Sequence, residues 1–164
     1  MAINIIARKR LGKPVLQPPE LFPPEYRAEW HPLKGGVEAI LYCPSAMARG
    51  FATDVYGEGK KIEIAQPVPT SEAEIRTVFG MVERLLQAGY RVQVDDHEAD
   101  MASLAAMCEN YVTFNRETLL SFISRGLDGF PCMMGANVRL TEEDKAKIRE
   151  DADAFAAILH AQQV

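Results

Sequence analysis

Lys60–Gln66 (KKIEIAQ), Thr70–Gly89 (TSEAEIRTVFGMVERLLQAG) and Tyr90–Asp96 (YRVQVDD) read as strand, long amphipathic helix, strand. In the middle segment Ile75, Val78, Phe79, Val82, Leu85 and Leu86 recur at i, i+3, i+4 and i+7, which gathers them into one apolar stripe. Ser71 stands where an N-cap belongs, and Glu74 follows three residues later with the spacing of a capping box. Gly89 occupies the position at which a helix ends on a left-handed residue. This unit specifies how a core is built and carries no chemistry of its own.

Working outward, Ala2–Ala7 reads as a strand. Val37–Cys43, Phe51–Tyr56 and Lys61–Ala65 alternate apolar and polar residues with period two, as strands of an antiparallel sheet covered on one side do. Gly57-Glu58-Gly59 supplies a hairpin turn. The neighbouring GEGKK lacks phosphate-loop spacing and leads into a strand, so it carries no nucleotide reading. Beyond Asp96 the pattern gives a helix of about ten residues through Cys108, then a short strand or connector at Tyr111–Phe114. A further helix is capped by Asn115 and closed by Gly126. Phe130–Leu140, with Pro131 and Gly135 inside it, reads as a bulged strand or two short pieces. A last helix starts at Thr141 with Asp144, and its stripe is Ile148, Ala152, Phe155 and Leu159. The expected class is α+β: an antiparallel or mixed sheet with about four helices, mainly on one face.

At 164 residues the chain fits one domain, 1–164, including a proline-rich arm at 14–32. Six of the ten prolines fall in that arm, so extended or irregular backbone is expected there, not helix or inner strand. The arm also holds Leu21, Phe22, Tyr26 and Trp30, which a solvated linker has little reason to carry. Pro23-Pro24-Glu25-Tyr26 matches the short proline motif bound by WW domains, but anchoring of Tyr26 to its own domain is the simpler reading.

The net charge of −5 argues against nucleic acid as a partner. The one basic cluster, Arg8, Lys9, Arg10 and Lys13, reads as a solvated turn. No segment has the length and apolarity of a membrane span, and the basic residues of MAINIIARKRLGK follow its apolar run, the reverse of a signal peptide. Cys43, Cys108 and Cys132 are odd in number and lack metal-binding spacing. They are expected as buried thiols in a reducing, cytoplasmic setting.

Chemistry concentrates at Asp95–Asp100, where four acids and a histidine fall within six residues. Asp95, Asp96, His97 and Asp100 form a set that could hold a divalent cation, at the carboxyl end of a strand. Acids are also favoured at a helix N-terminus, where they cap free N–H groups, and capping is the simpler reading of this run. Cys43-Pro44-Ser45 has no identifiable base partner, and Arg49 reads as a loop-tip cation. His31, in the arm, and His160, late in the last helix, read as structural, and Cys132 as core.

The run from Ile40 to Leu86 resembles a bacterial protein family of unknown function. Arg49-Gly50-Phe51 after a strand and loop, the hairpin, and Val68-Pro69-Thr70 before the helix carry the likeness. No activity is implied by it; a cytoplasmic bacterial origin is. Without a complete catalytic constellation, the leading expectation is a non-enzymatic protein-binding domain. Phe22, Tyr26 and Trp30 are its interface candidates, and the partner is another protein or a second copy. The alternative is a metal-binding domain or metal-assisted hydrolase built on the acidic run. No cofactor is expected.

Overall fold

Strand alternation and one helical stripe are the forces that shape the computed structural model, which describes residues 1–9, 18–43, 49–133 and 137–163. Seven strands form one sheet in the order β2-β3-β4-β5-β1-β6-β7. They are β1 (Ala2–Lys9), β2 (Arg27–Leu33), β3 (Gly36–Tyr42), β4 (Phe51–Tyr56), β5 (Lys61–Pro67), β6 (Tyr90–Val94) and β7 (His97–Ala99). Every pairing is antiparallel. β1 lies between β5 and β6 and opposes both, so those two strands run parallel with a third inserted between them. The helix of the opening segment, α2 (Glu72–Gln87), makes that crossover.

The register lines up the apolar residues in rows across the sheet. One row runs Val94, Ile5, Ile64, Thr53, Ala39, Trp30 from β6 to the β2 edge. Val92, Ala7, Ile62 and Val55 form the next. These residues, Trp30 apart, are buried, together with Ile75, Val78, Phe79, Val82 and Leu85 of α2. Directly opposite residues share a face, so each row presents one side to the helices. The other face carries Asn4, Ile6, Glu63, Asp54 and Glu38, all partly or fully exposed.

The α2 boundaries follow their signals. The Ser71 hydroxyl accepts from the Glu74 amide at 3.1 Å, and Gly89, at φ 87°, closes the helix with its amide donating to Leu86 O.

Beyond β6 the sequence pattern misleads. Asp95 and Asp96, at φ 46° and 67°, form a two-residue hairpin turn into β7 and do not begin a helix. Left-handed backbone is what a tight hairpin demands, and aspartate tolerates it better than most residues. Helix α3 (Leu104–Ser124) is then one continuous element of 21 residues, where two helices and a connector at Tyr111–Phe114 were expected. No glycine or proline interrupts it. Asn115 does not cap it, because its side chain is engaged by a distant loop. The stripe changes because the partner changes: Leu104, Cys108 and Val112 face the sheet core, whereas Leu119 and Ile123 enter a second core.

That second core collects Phe130, Val138, Leu140, Ile148, Phe155 and Leu159. It comprises the two-stranded ladder of β8 (Gly129–Phe130) and β9 (Val138–Arg139), then α4 (Glu142–Glu150) and α5 (Ala154–Gln163). Thr141 and Asp144 form a complete capping box on α4. The single last helix of the expectation is two. Asp151 is extended at φ −146°, and its carboxylate takes the Asp153 amide at 3.0 Å, a local bond that competes with helix continuation.

In the arm, Pro18–Leu21 forms one helical turn, α1, which corrects the expectation of no helix. Proline is acceptable in a first helical turn because its missing N–H is unpaired there anyway. Arg27–Leu33 is extended and lies at the sheet edge, the place for a strand that contains Pro32. Arg10, Gly12, Lys13 and the arm up to Gln17, Pro44-Ser45 and Gly135 lie outside the described residues. The thiols of Cys43 and Cys108 are buried and that of Cys132 is half-buried.

Candidate functional site

A fully buried carboxylate is the most unusual group in the molecule. Glu74 sits in the first turn of α2 on the arc that also carries Val78 and Met81, and it has no exposed area. Four groups converge on it. Gln66 Nε2 donates to Oε1 at 2.7 Å, Thr70 Oγ1 stands 3.3 Å from Oε1, the Gly50 amide donates to Oε2 at 3.3 Å, and the Tyr26 hydroxyl is 3.5 Å from Oε2. Burial nevertheless prevails: desolvation raises the carboxyl to about 7, against these hydrogen bonds and the nearby Arg49 charge, which lower it. The same burial, with Glu74 beside it, pushes the Tyr26 hydroxyl upward.

Arg49 is a buried cation close to Glu74, 6% exposed. Its Nη1 donates to Pro69 O at 2.7 Å and its Nε to Pro131 O at 2.9 Å, while the guanidinium lies 5.3 Å from the Phe130 ring centre. It therefore ties the β5–α2 loop to the second core. Gly50 follows at φ 85°, and a Cβ there would meet Leu41 O at 2.6 Å, so only glycine can bring this amide to Glu74. Asn115 holds the same loop from α3: its Oδ1 accepts from the Thr70 amide and its Nδ2 donates to Thr70 O, both at 2.8 Å.

These residues form a junction at which β4, the β5–α2 loop, α3 and β8 meet. A cleft of about 360 Å³ opens beside it, lined by Thr70, Arg76, Asn115, Arg116 and Asp153 among others, but not by Glu74. Both arginines of the cleft are in ion pairs: Arg76 with Glu72 and Glu109, Arg116 with Glu72 and Asp153. Glu74 has no open face toward a solute. Its geometry suits internal fastening, in which each donor holds a separate chain segment against one acceptor.

The acidic run is arranged differently. Asp95 Oδ1 accepts from the Asn4 amide and Oδ2 from the Tyr111 hydroxyl, both at 2.8 Å. The His97 ring meets Asp95 O at 3.0 Å. Asp100 Oδ1 accepts from the Ser103 amide at 2.8 Å just before α3, and that bond holds its carboxyl below the ordinary range. Asp96 is exposed at the turn. Among the described residues no three His, Cys, Asp or Glu side chains are grouped to hold a metal ion.

The aromatic residues of the arm separate. Tyr26 is buried against Phe51, with ring centres 5.4 Å apart, and so anchors the arm to its own domain. Phe22 is half-buried and packs on Trp30, with centres 6.0 Å apart. Trp30 is 47% exposed in the middle of the outermost strand. His31 pairs with Glu29 on that same strand at 3.1 Å.

Sequence reading missed Glu74, Arg49, Gln66 and Asn115 as a set. Glu74 was assigned to the cap and Arg49 to solvent. The available signal was an acid on the inward arc of an otherwise apolar stripe.

Among the described residues no helix is long and apolar enough to cross a membrane. No curated protein and no solved structure matches the chain. Residues 29–164 match the family described as a domain of unknown function, DUF4299, and the chain belongs to that family.

Proposed function

We propose that the chain is a non-enzymatic protein-binding domain whose partner adds an extended segment to the outer edge of β2, which pairs with no further strand among the described residues. The observation that carries this reading is Trp30, a large aromatic side chain left 47% exposed at the centre of an edge strand. Tryptophan is enriched where interfaces are buried.

The backbone of β2 supports the same reading. The Gly57 amide donates to Gly35 O at 3.2 Å, which makes Gly36 and Tyr56 a non-hydrogen-bonded pair and turns Gly36 toward β2. Leu33, His31, Glu29 and Arg27 then bond β3, and the alternate residues Ala28, Trp30 and Pro32 direct their backbone groups outward. Two N–H donors and three carbonyl acceptors are thus offered in an extended row, the template that strand addition uses. Pro32 has no N–H and limits the length of ladder that can form.

The test is photo-crosslinking from position 30 in cells that make the protein at its natural level, with position 109 on α3 as a control. A defined polypeptide adduct from position 30, absent from position 109 and lost in Ala28→Pro, is the expected result. That substitution removes an outward N–H and no internal ladder bond. No adduct from position 30, or an adduct that persists in Ala28→Pro, would overturn the reading.

A further inference from the structure

We infer that the strand added to β2 is β2 of a second copy of this chain, related by a two-fold axis through Trp30. The inference rests on the strand-addition reading above and specifies its occupant.

β2 is self-complementary about its centre. Trp30 is the fourth of its seven residues, with Glu29 on one side and His31 on the other. In an antiparallel pair centred on Trp30, residue 30 opposes itself, residue 29 opposes residue 31, and residue 28 opposes residue 32. A two-fold interface requires this kind of match, in which one patch is its own partner. Glu29 of each copy would face His31 of the other, so two carboxylate–imidazole cross-strand pairs form at once, ionic wherever the imidazole carries a proton. A parallel pair in register would instead put Glu29 against Glu29 and His31 against His31.

Hydrogen bonding agrees. The outward groups of Trp30 allow two reciprocal N–H···O bonds across the axis, and each Ala28 amide can donate to the opposing Pro32 carbonyl. Four bonds form, and the missing Pro32 N–H ends the ladder there. The packing agrees as well. Trp30 continues the inner row Val94, Ile5, Ile64, Thr53, Ala39, on the face that carries the helices. Among the described residues this row stops at the edge, with Phe22 covering only part of the indole. A second sheet in register continues the row and sets the two indoles side by side, so the apolar layer of each copy meets that of the other.

Sedimentation equilibrium of the purified full chain tests this, with single and paired charge variants. The expected result is a reversible dimer, abolished by Ala28→Pro. At about pH 5, where an imidazole carries a proton, Glu29→His and His31→Glu should each weaken self-association roughly tenfold, since each replaces two attractive pairs with two like pairs. Mixing these two variants should restore dimers, now of one copy of each, because every 29–31 contact is again opposite in charge. A chain that sediments as a monomer at all concentrations would overturn the inference. A dimer insensitive to Ala28→Pro, or a mixture that does not recover, would do the same by placing self-association elsewhere. The two failures are separable: a position-30 adduct to a different polypeptide refutes the self-pairing and leaves strand addition standing.

Discussion

The acidic turn at Asp95–Asp100 and the single buried acid Glu74 make opposite uses of the same functional group. Four carboxylates lie close together in the first region, and those of Asp95 and Asp100 accept backbone or hydroxyl donors near the surface. One carboxylate stands alone in the second, sealed from water and raised to about 7 by desolvation. The difference lies in solvation, not in charge density. At the turn the acids stay near the surface, where Asp100 takes the local Ser103 amide and Asp95 takes donors from Asn4 and Tyr111. An acid buried on an apolar helix face has no exposed area and takes its hydrogen bonds from the protein, here from Thr70, Gln66, the Gly50 amide and Tyr26. Both Asp95 and Glu74 join segments that the sequence separates, but only Glu74 does so with no exposed area.

The sharpest way to break the buried centre is to remove its cation. Arg49→Ala takes the donors from the Pro69 and Pro131 carbonyls, empties the space over Phe130 and withdraws the positive charge near Glu74. Unpaired buried polar groups cost about 1–3 kcal/mol each, so a total loss of about 3–5 kcal/mol is expected. Urea unfolding followed by both far-UV dichroism and Trp30 fluorescence reads it. Trp30 is the only tryptophan and reports on the sheet edge, whereas dichroism weights the helices of both cores. The two transitions should coincide in the natural chain and separate in the variant, with the second core melting first. A loss below about 1 kcal/mol would mean that water replaces the guanidinium and that the junction is open.

Glu74→Gln tests the ionisation alone. The folded chain holds the Glu74 proton up to about 7, while the unfolded chain releases it near the ordinary 4.5. Between those values the unfolded state binds fewer protons, so stability falls as pH rises; below 4.5 and above 7 this contribution is constant. The shift corresponds to about 3 kcal/mol. Glutamine loses an acceptor toward the Gly50 amide and lowers stability at acid pH, but it does not titrate. The difference in unfolding free energy between the two proteins should therefore shrink across pH 4.5 to 7 by about that amount. A difference that stays level over the window would show that Glu74 titrates normally and that the centre is hydrated.

The parts of the fold legible in the sequence are those set by local rules. Ser71, Gly89, Thr141 and Asp144 mark helix ends as their side chains and backbone dictate, and the alternation at Val37–Cys43, Phe51–Tyr56 and Lys61–Ala65 yields three strands. What was hidden depends on contacts between distant residues. Asn115 looks like a cap because asparagine competes with the backbone locally, yet its amide is taken up by Thr70, 45 positions away, and α3 continues through it. The insertion of β1 between β5 and β6 has no local signature, since either neighbour satisfies its alternation equally well. Glu74 carried a partial signal, and the capping-box spacing accounted for it too readily: Ser71 does cap the helix, so the acid three residues on appeared already explained.

The smallest effects belong to the acidic turn, and they differ within it. Asp95→Ala removes two acceptors at once, leaving the Asn4 amide and the Tyr111 hydroxyl without their partner, and places alanine at φ 46°. A loss of about 1–2 kcal/mol is expected, because the Asn4 amide is near water and recovers part of its bonding. Asp96→Asn keeps a residue type that tolerates the left-handed region and removes a charge from a turn where acids crowd. Its effect should stay within about 0.5 kcal/mol, of either sign. Thermal melts of the two variants at neutral pH make the comparison. Were Asp96→Asn to cost as much as Asp95→Ala, the exposed carboxylate at the turn would be holding something, and the contrast between a hydrated acidic turn and a sealed acidic core would have to be redrawn.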